Sequence, residues 1–134
     1  MGTEVLILDR DAALARLYCG VLANHGFSAE TVASAPKCRD MLRHRSRDVL
    51  VLDREIPNQG ATRLIACLKK EEMSTRVVLT TWTATAELTR RLVVPPVVLC
   101  LRKFFPLPAL VDAVRIATQS IGTRHTVCGT LDVA

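Results

Sequence analysis

The sequence has few aromatic residues and lacks the paired cysteines and glycine-rich loops that mark several kinds of binding site. Only 4% of its 134 residues are aromatic, whereas 49% are hydrophobic, so we expect an aliphatic core. Five cysteines are present, none in a C-x-x-C pair, which favours reduced, buried thiols over a metal centre. Neither G-x-G-x-x-G nor G-x-x-x-x-G-K-[ST] occurs, which disfavours an enzyme that binds nucleotides through such a loop.

Long hydrophobic runs are also lacking. No apolar segment reaches the ~18 residues of a membrane-spanning helix, and Glu4, Asp9 and Arg10 come too early for a secretory signal. With unpaired cysteines, this predicts a cytoplasmic protein that does not enter a membrane. The net charge is +5, but the densest basic stretch, "CRDMLRHRSRD", has no interleaved aromatic residues. We interpret it as the solvated face of a helix and expect no direct nucleic-acid binding by this chain.

Short apolar runs alternate with segments of helical periodicity. The predicted strands are Val5–Leu8, "SAETVAS", Val49–Leu52, "RVVLTT" and "VVLCL". After the first of them, apolar residues recur at i, i+3, i+4, i+7 and i+8 from Leu14, as in an amphipathic helix. This alternation predicts an α/β fold whose parallel sheet is covered by helices on both faces. We expect one domain over residues 1–120, followed by a poorly ordered tail over residues 121–134.

Polar residues follow four of the five predicted strands. They are Asp9, Arg10 and Asp11 after the first, Asp53 after the third, Thr80 and Thr81 at the end of the fourth, and Arg102 and Lys103 after the fifth. In a doubly wound sheet, ligands bind outside the carboxyl ends of the strands. Such a set suits phosphoryl chemistry, because an aspartate accepts a phosphoryl group as an acyl phosphate, acidic oxygens hold Mg²⁺, and hydroxyl and ammonium groups bind phosphoryl oxygens.

Four segments together resemble the receiver domain of two-component response regulators, over roughly residues 4–117. They are "VLILDRD", "DVLVLDREIPNQG", "RVVLTT" and "LRKFFPLPALVDAVR". The resemblance implies a flavodoxin-like, doubly wound sheet of five parallel strands in the order 2-1-3-4-5. It also implies a phosphorelay function, in which a sensor histidine kinase or phosphotransfer protein acts on the chain and a downstream protein partner receives the signal.

The resemblance also implies a role for each matching residue. Asp53 is the expected phosphoacceptor, Thr81 the switch hydroxyl and Lys103 the lysine that binds the phosphoryl group. Mg²⁺ is the expected cofactor, held by Asp9, by Asp53 and by the backbone carbonyl of Glu55. The chain is then a signalling protein and not an enzyme.

Arg10 is the main departure from the family pattern. The family usually has a second acid at this position, which binds the metal directly, whereas a guanidinium has only donors and cannot coordinate Mg²⁺. Arg10 could pair with Asp53 instead. Asp11 is a possible substitute ligand, but a shift by one residue points its side chain to the other face, and we favour it as the cap of the first helix.

Three further positions differ from the family. Trp82 replaces a small residue and either narrows access to the site or turns outward over the loop. Phe104 replaces the usual proline, and since a cis bond before a residue other than proline is costly, we expect the Lys103–Phe104 peptide to be trans. Cys100 stands where an aromatic switch residue is common.

These departures leave two functions open. The first is a phosphorylatable receiver, and the second is a pseudo-receiver, which binds partner proteins without phosphorylation. We also expect Val93 and Val94 at the surface, on a face that makes a homodimer possible.

Overall fold

Strands and helices alternate along residues 2–119, which are the part of the chain that the computed structural model describes. The strands there are β1 (Glu4–Leu8), β2 (Ser28–Val32), β3 (Val49–Asp53), β4 (Arg76–Thr81) and β5 (Val97–Arg102). The helices are α1 (Ala12–Asn24), α2 (Ala35–His44), α3 (Gly60–Lys70), α4 (Ala86–Leu92) and α5 (Leu107–Gln119). The predicted tail of residues 121–134 lies outside the described residues and stays a prediction.

The strands form one parallel sheet in the order β2-β1-β3-β4-β5. The predicted flavodoxin-like fold is therefore confirmed. The register brings the carboxyl ends of the central strands to one edge, because Leu8 lies opposite Leu52, and Asp53 opposite Thr80. Residues just beyond these ends are thus placed side by side.

The core is aliphatic and lies on both faces of the sheet. Side chains alternate along a strand, so Val5 and Ile7 of β1 face a cluster that contains residues of α1 and α5. Leu6 and Leu8 face a second cluster, built with α2, α3 and the end of α4. β1 and β3, at the centre of the sheet, are buried along nearly their whole length because helices cover both faces there, whereas the edge strand β2 is largely exposed.

α1 and α2 each begin at a residue whose side chain caps the helix. The Asp11 carboxylate accepts the amide N–H groups of Ala13 and Leu14 at 3.0 and 3.1 Å, so it caps α1, as we favoured. Ser34 caps α2 in the same way through the amide of Lys37. None of the helices within residues 2–119 is long and apolar enough to cross a membrane.

Two expectations about the second half of the chain are wrong. Val93 is buried against the α2–α3 side of the sheet, whereas Val94 is 46% exposed as expected. Its burial follows from the chain geometry, since Val93 directly follows α4 and its amide still donates to the Thr89 carbonyl. The Lys103–Phe104 peptide is cis, not trans.

Candidate functional site

Lys103 connects two carboxylates at the carboxyl ends of β1 and β3. Its ammonium nitrogen Nζ lies 3.1 Å from Oδ1 of Asp53 and 3.2 Å from Oδ2 of Asp9. The side chains of all three residues are nearly inaccessible, with exposed fractions of 2% or less. Because a buried charge is very costly unless it is paired, the lysine and the two acids form one electrostatic unit.

Backbone amides hold the two carboxylates in place. Asp53 accepts the amide N–H of Arg10 at 3.2 Å through Oδ2 and that of Glu55 at 2.9 Å through Oδ1. Asp9 accepts the amide N–H of Asp11 at 2.8 Å through Oδ1. These donors fix the carboxylates at the strand ends without any side-chain partner other than Lys103 within residues 2–119.

Burial raises the pKa of the Asp9 carboxyl above its ordinary value, and the negative charge of Asp53 raises that pKa further. The Asp11 amide and the Lys103 ammonium act in the opposite direction. Oδ2 of Asp9 forms no hydrogen bond with any group of residues 2–119, although Lys103 lies within ion-pair distance. A buried oxygen without a hydrogen bond is a position where a proton or a cation is favoured.

The side chain of Glu55 is hydrogen-bonded to Thr81, the predicted switch residue. Oγ1 of Thr81 donates to Oε2 of Glu55 at 2.7 Å, and the amide of Trp82 donates to Oε1 at 3.0 Å. The sequence predicted only a backbone role for Glu55 and missed this contact. Its sole signal in the sequence is the position of an acid two residues after Asp53, which says nothing about the direction of the side chain.

Arg10 contributes its amide to the site but not its charge. Its side chain is exposed, and within residues 2–119 it forms no ion pair with a carboxylate. The alternative in which the Arg10 guanidinium pairs with Asp53 is therefore not observed. Asp11 is occupied at the start of α1, and its carboxylate does not join Asp9 and Asp53.

Trp82 and Phe104 form an aromatic pair beside the lysine. Their ring centroids are 4.6 Å apart in an edge-to-face arrangement, and the Lys103 Nζ lies 5.7 Å from the Trp82 ring centroid. Trp82 is 44% exposed and Phe104 77% exposed. The indole is thus partly turned to solvent and at the same time lies over the ammonium at a distance that allows a cation–π contact.

Cys100 lies away from this aromatic pair, in the core. It is fully buried on β5, and burial raises the pKa of its thiol to about 11. At neutral pH it is an uncharged, apolar core residue.

The oxygen donors at this site fit a Mg²⁺ ion that keeps much of its water. Asp9 and Asp53 supply two carboxylates, and one Asp9 oxygen has no hydrogen bond. Mg²⁺ is commonly bound through one or two carboxylates with several retained water molecules. Within residues 2–119 no group of three or more His, Cys, Asp or Glu side chains is arranged to hold a metal.

The sequence and the fold were compared with those of known proteins. The family model described as "Response regulator receiver domain" matches residues 5–115, and no curated protein matches the chain. The receiver domain of the Francisella response regulator 1452 superposes with a TM-score of 0.83 at 19% identity, covering 90% of this chain and 99% of that one. A receiver domain protein from Clostridium thermocellum gives a TM-score of 0.79 at 17% identity, covering 89% and 96%.

A receiver protein from Burkholderia phymatum is similar as well, with a TM-score of 0.75 at 21% identity, covering 87% of this chain and 95% of that one. These identities establish a shared fold, and the family model adds a match over most of the sequence. With the acids, the threonine and the lysine at the strand ends, these findings show that the chain belongs to the response regulator receiver domain family.

Proposed function

We propose that Asp53 accepts a phosphoryl group from a histidine kinase or phosphotransfer protein, and that the chain then signals through protein contacts. The observation that carries this proposal is the contact between Asp53 and Lys103. One carboxylate oxygen lies 3.1 Å from the ammonium, which leaves a nucleophile next to a cation that binds phosphoryl oxygens.

The proposed transfer is a displacement at phosphorus. An oxygen of Asp53 forms a bond to the phosphorus of a phosphohistidine, the bond from phosphorus to the imidazole nitrogen breaks, and the imidazole takes up a proton. The product is an acyl phosphate on Asp53, whose oxygens remain within reach of Lys103. Asp9, Asp53 and the Glu55 carbonyl would hold Mg²⁺, which when bound would neutralise charge on the phosphoryl group.

The contact between Glu55 and Thr81 suggests how the signal leaves the site. A phosphoryl group on Asp53 would compete with the Glu55 carboxylate for the Thr81 hydroxyl, which is bound to Glu55 at 2.7 Å. Two anions repel each other, so Glu55 would be displaced, and the Trp82 amide, which also donates to Glu55, would lose its partner. The surface around Trp82 would then change, and a downstream protein or a second copy of the chain would read that change.

Intact-mass spectrometry tests the proposal directly. The chain is incubated with Mg²⁺ and acetyl phosphate, and the expected result is one phosphoryl adduct that Asp53→Asn abolishes. The Asp48→Asn variant, which changes an exposed acid away from this site, serves as the matched control and should be labelled normally. If Asp53→Asn is labelled as fully as the wild type, Asp53 is not the acceptor.

The second candidate function is a pseudo-receiver that binds partners without phosphorylation. Two observations favour it: arginine replaces a metal-binding acid at position 10, and Glu55 already occupies Thr81. A Mg²⁺ titration followed by Trp82 fluorescence separates the two functions. A response in Arg10→Asp but none in the wild type favours the pseudo-receiver, whereas a saturable response in the wild type favours the phosphorylatable receiver.

A further inference from the structure

Asp9, Asp53 and Lys103 together form what we call the carboxylate site. A separate cavity of about 480 Å³ lies next to this site. It is bounded by the end of β1, the start of α2 and the start of α3, and Leu8, Ile56 and Leu64 supply its apolar wall. None of Asp9, Asp53, Thr81 and Lys103 lines it. Its volume is within the range of roughly 300–1,000 Å³ that is typical of small-molecule sites.

Three arginines from three separate segments line this cavity. Arg10 follows β1, Arg39 lies on α2, Arg63 lies on α3, and no acidic residue is among the lining residues. Within residues 2–119 neither Arg10 nor Arg63 pairs with a carboxylate, and Arg39 reaches only the exposed Asp40, at 3.9 Å. Three like charges with so little compensation repel one another and favour the binding of an anion.

Gly60 brings the starts of two helices together at this cavity. A Cβ atom at Gly60 would lie only 3.2 Å from Cβ of Ala35, the first residue of α2, and 2.9 Å from Cδ1 of Ile56. A glycine therefore permits the close approach of α2 and α3. Both helix starts carry partial positive charge, which adds to the field of the arginines.

We propose that this cavity binds a nucleoside phosphate. The guanidinium groups of Arg39 and Arg63 bind the phosphate oxygens, since the planar fork of arginine matches phosphate geometry. The base lies against the apolar wall, where Arg10 also offers a flat cationic surface for stacking. Asn58, held at a positive φ of 61° beside the cavity, supplies an amide for the edge of the base.

Isothermal titration calorimetry of the full chain tests this assignment with AMP, GMP and UMP as probes, and with inorganic phosphate and adenosine as fragments. We expect saturable binding of at least one nucleotide at a single site, about tenfold or more tighter than either fragment. Arg39→Ala and Arg63→Ala should each weaken that binding about tenfold, which is the size of one charge-assisted hydrogen bond. Arg16→Ala, which removes an exposed arginine of α1 outside the cavity, should leave it unchanged.

Amide chemical shifts of the unmodified chain locate the site without any variant. Addition of the bound nucleotide should shift the resonances of Ser34 and Gly60 more than those of β5. The proposal is overturned if no probe binds at millimolar concentration, if inorganic phosphate binds as tightly as the nucleotides, or if Arg16→Ala weakens binding as much as Arg63→Ala. An acidic peptide that binds more tightly than every nucleotide would also overturn it and assign the cavity to a protein partner.

Discussion

Two regions with basic side chains lie at the same edge of the sheet, and they differ in how the positive charge is compensated. Lys103 is buried and pairs with two carboxylates within 3.2 Å. Arg10, Arg39 and Arg63 are exposed around an open cavity, and of these three only Arg39 forms an ion pair with a carboxylate within residues 2–119, that of the exposed Asp40. A buried charge requires a partner, because an isolated charge in the interior is very unfavourable, whereas water solvates exposed guanidinium groups and makes pairing unnecessary.

The two regions meet at Arg10. Its amide N–H donates to Asp53 on the carboxylate side, and its side chain lines the cavity on the other. An arginine at this position therefore keeps the backbone donor to Asp53, the candidate phosphoacceptor. Its cationic side chain lies at the cavity and not among the buried acids. Position 10 thus contributes to the carboxylate site through its backbone and to the cavity through its side chain.

The largest expected effect is that of Lys103→Met, which removes the buried cation that pairs with Asp9 and Asp53. Asp9 and Asp53 would then be two buried, unpaired charges, and breaking a buried ion pair in this way costs about 3–5 kcal/mol of unfolding free energy. Urea unfolding at neutral pH measures the loss. Lys103→Met combined with Asp9→Asn should recover part of it, and a loss below about 1 kcal/mol would contradict the view that the three residues form one unit.

The sequence predicted where the main site residues lie, but not which contacts their neighbours make. Asp9, Asp53, Thr81 and Lys103 lie at the predicted edge because each ends an apolar strand or follows one directly, and parallel strands end at one edge of the sheet. Their chemical roles stay predictions. The direction of the Glu55 side chain depends on the loop after β3, for which residue type and periodicity give no information.

The same limit applies to features built from distant segments. The cavity joins residues from β1, α2 and α3, and no spacing in the sequence indicates that Arg39 and Arg63 lie around one space. We wrongly expected Val93 at the surface, because it follows a short helix and no repeating apolar pattern around it indicates whether its side chain is buried. Composition, by contrast, sufficed for the core, since continuous aliphatic strands have only one favourable environment.

A second prediction concerns Glu55, whose carboxylate accepts a hydrogen bond from the Thr81 hydroxyl. Glu55→Gln removes the negative charge that would oppose an incoming phosphoryl group and weakens a charge-assisted hydrogen bond of about 1.5 kcal/mol. Labelling by acetyl phosphate should become about tenfold faster, as followed by intact mass over time. Glu87→Gln, an exposed acid on α4, changes the net charge equally and should have no effect; slower labelling in Glu55→Gln would mean that Glu55 assists the reaction.

A third prediction follows from the raised pKa of Asp9. Because the pKa of Asp9 is higher in the folded than in the unfolded state, folding favours its protonated form. The stability that Asp9 contributes is therefore fully present below its unfolded pKa, near 3.8, and is lost as pH rises through the higher folded pKa. At pH 7 the charged Asp9 therefore destabilises the fold. Asp9→Asn should raise the unfolding free energy by about 1 kcal/mol, and the gain should shrink as the pH is lowered.

Thermal unfolding across a pH series measures that gain. Asp11→Asn is the matched control, because Asp11 is exposed and asparagine also caps helices well. A loss of stability in Asp9→Asn at pH 7 would mean that the ion pair with Lys103 outweighs the burial of Asp9.

The smallest expected effect is that of Arg10→Ala on stability. The guanidinium is exposed and, within residues 2–119, pairs with no carboxylate, whereas the amide that donates to Asp53 is retained by alanine. The unfolding free energy should change by no more than about 0.5 kcal/mol, as for most surface substitutions. A loss above about 1 kcal/mol, measured by urea unfolding, would show that the Arg10 charge stabilises the two buried acids, and the separation between the carboxylate site and the arginine cavity would no longer hold.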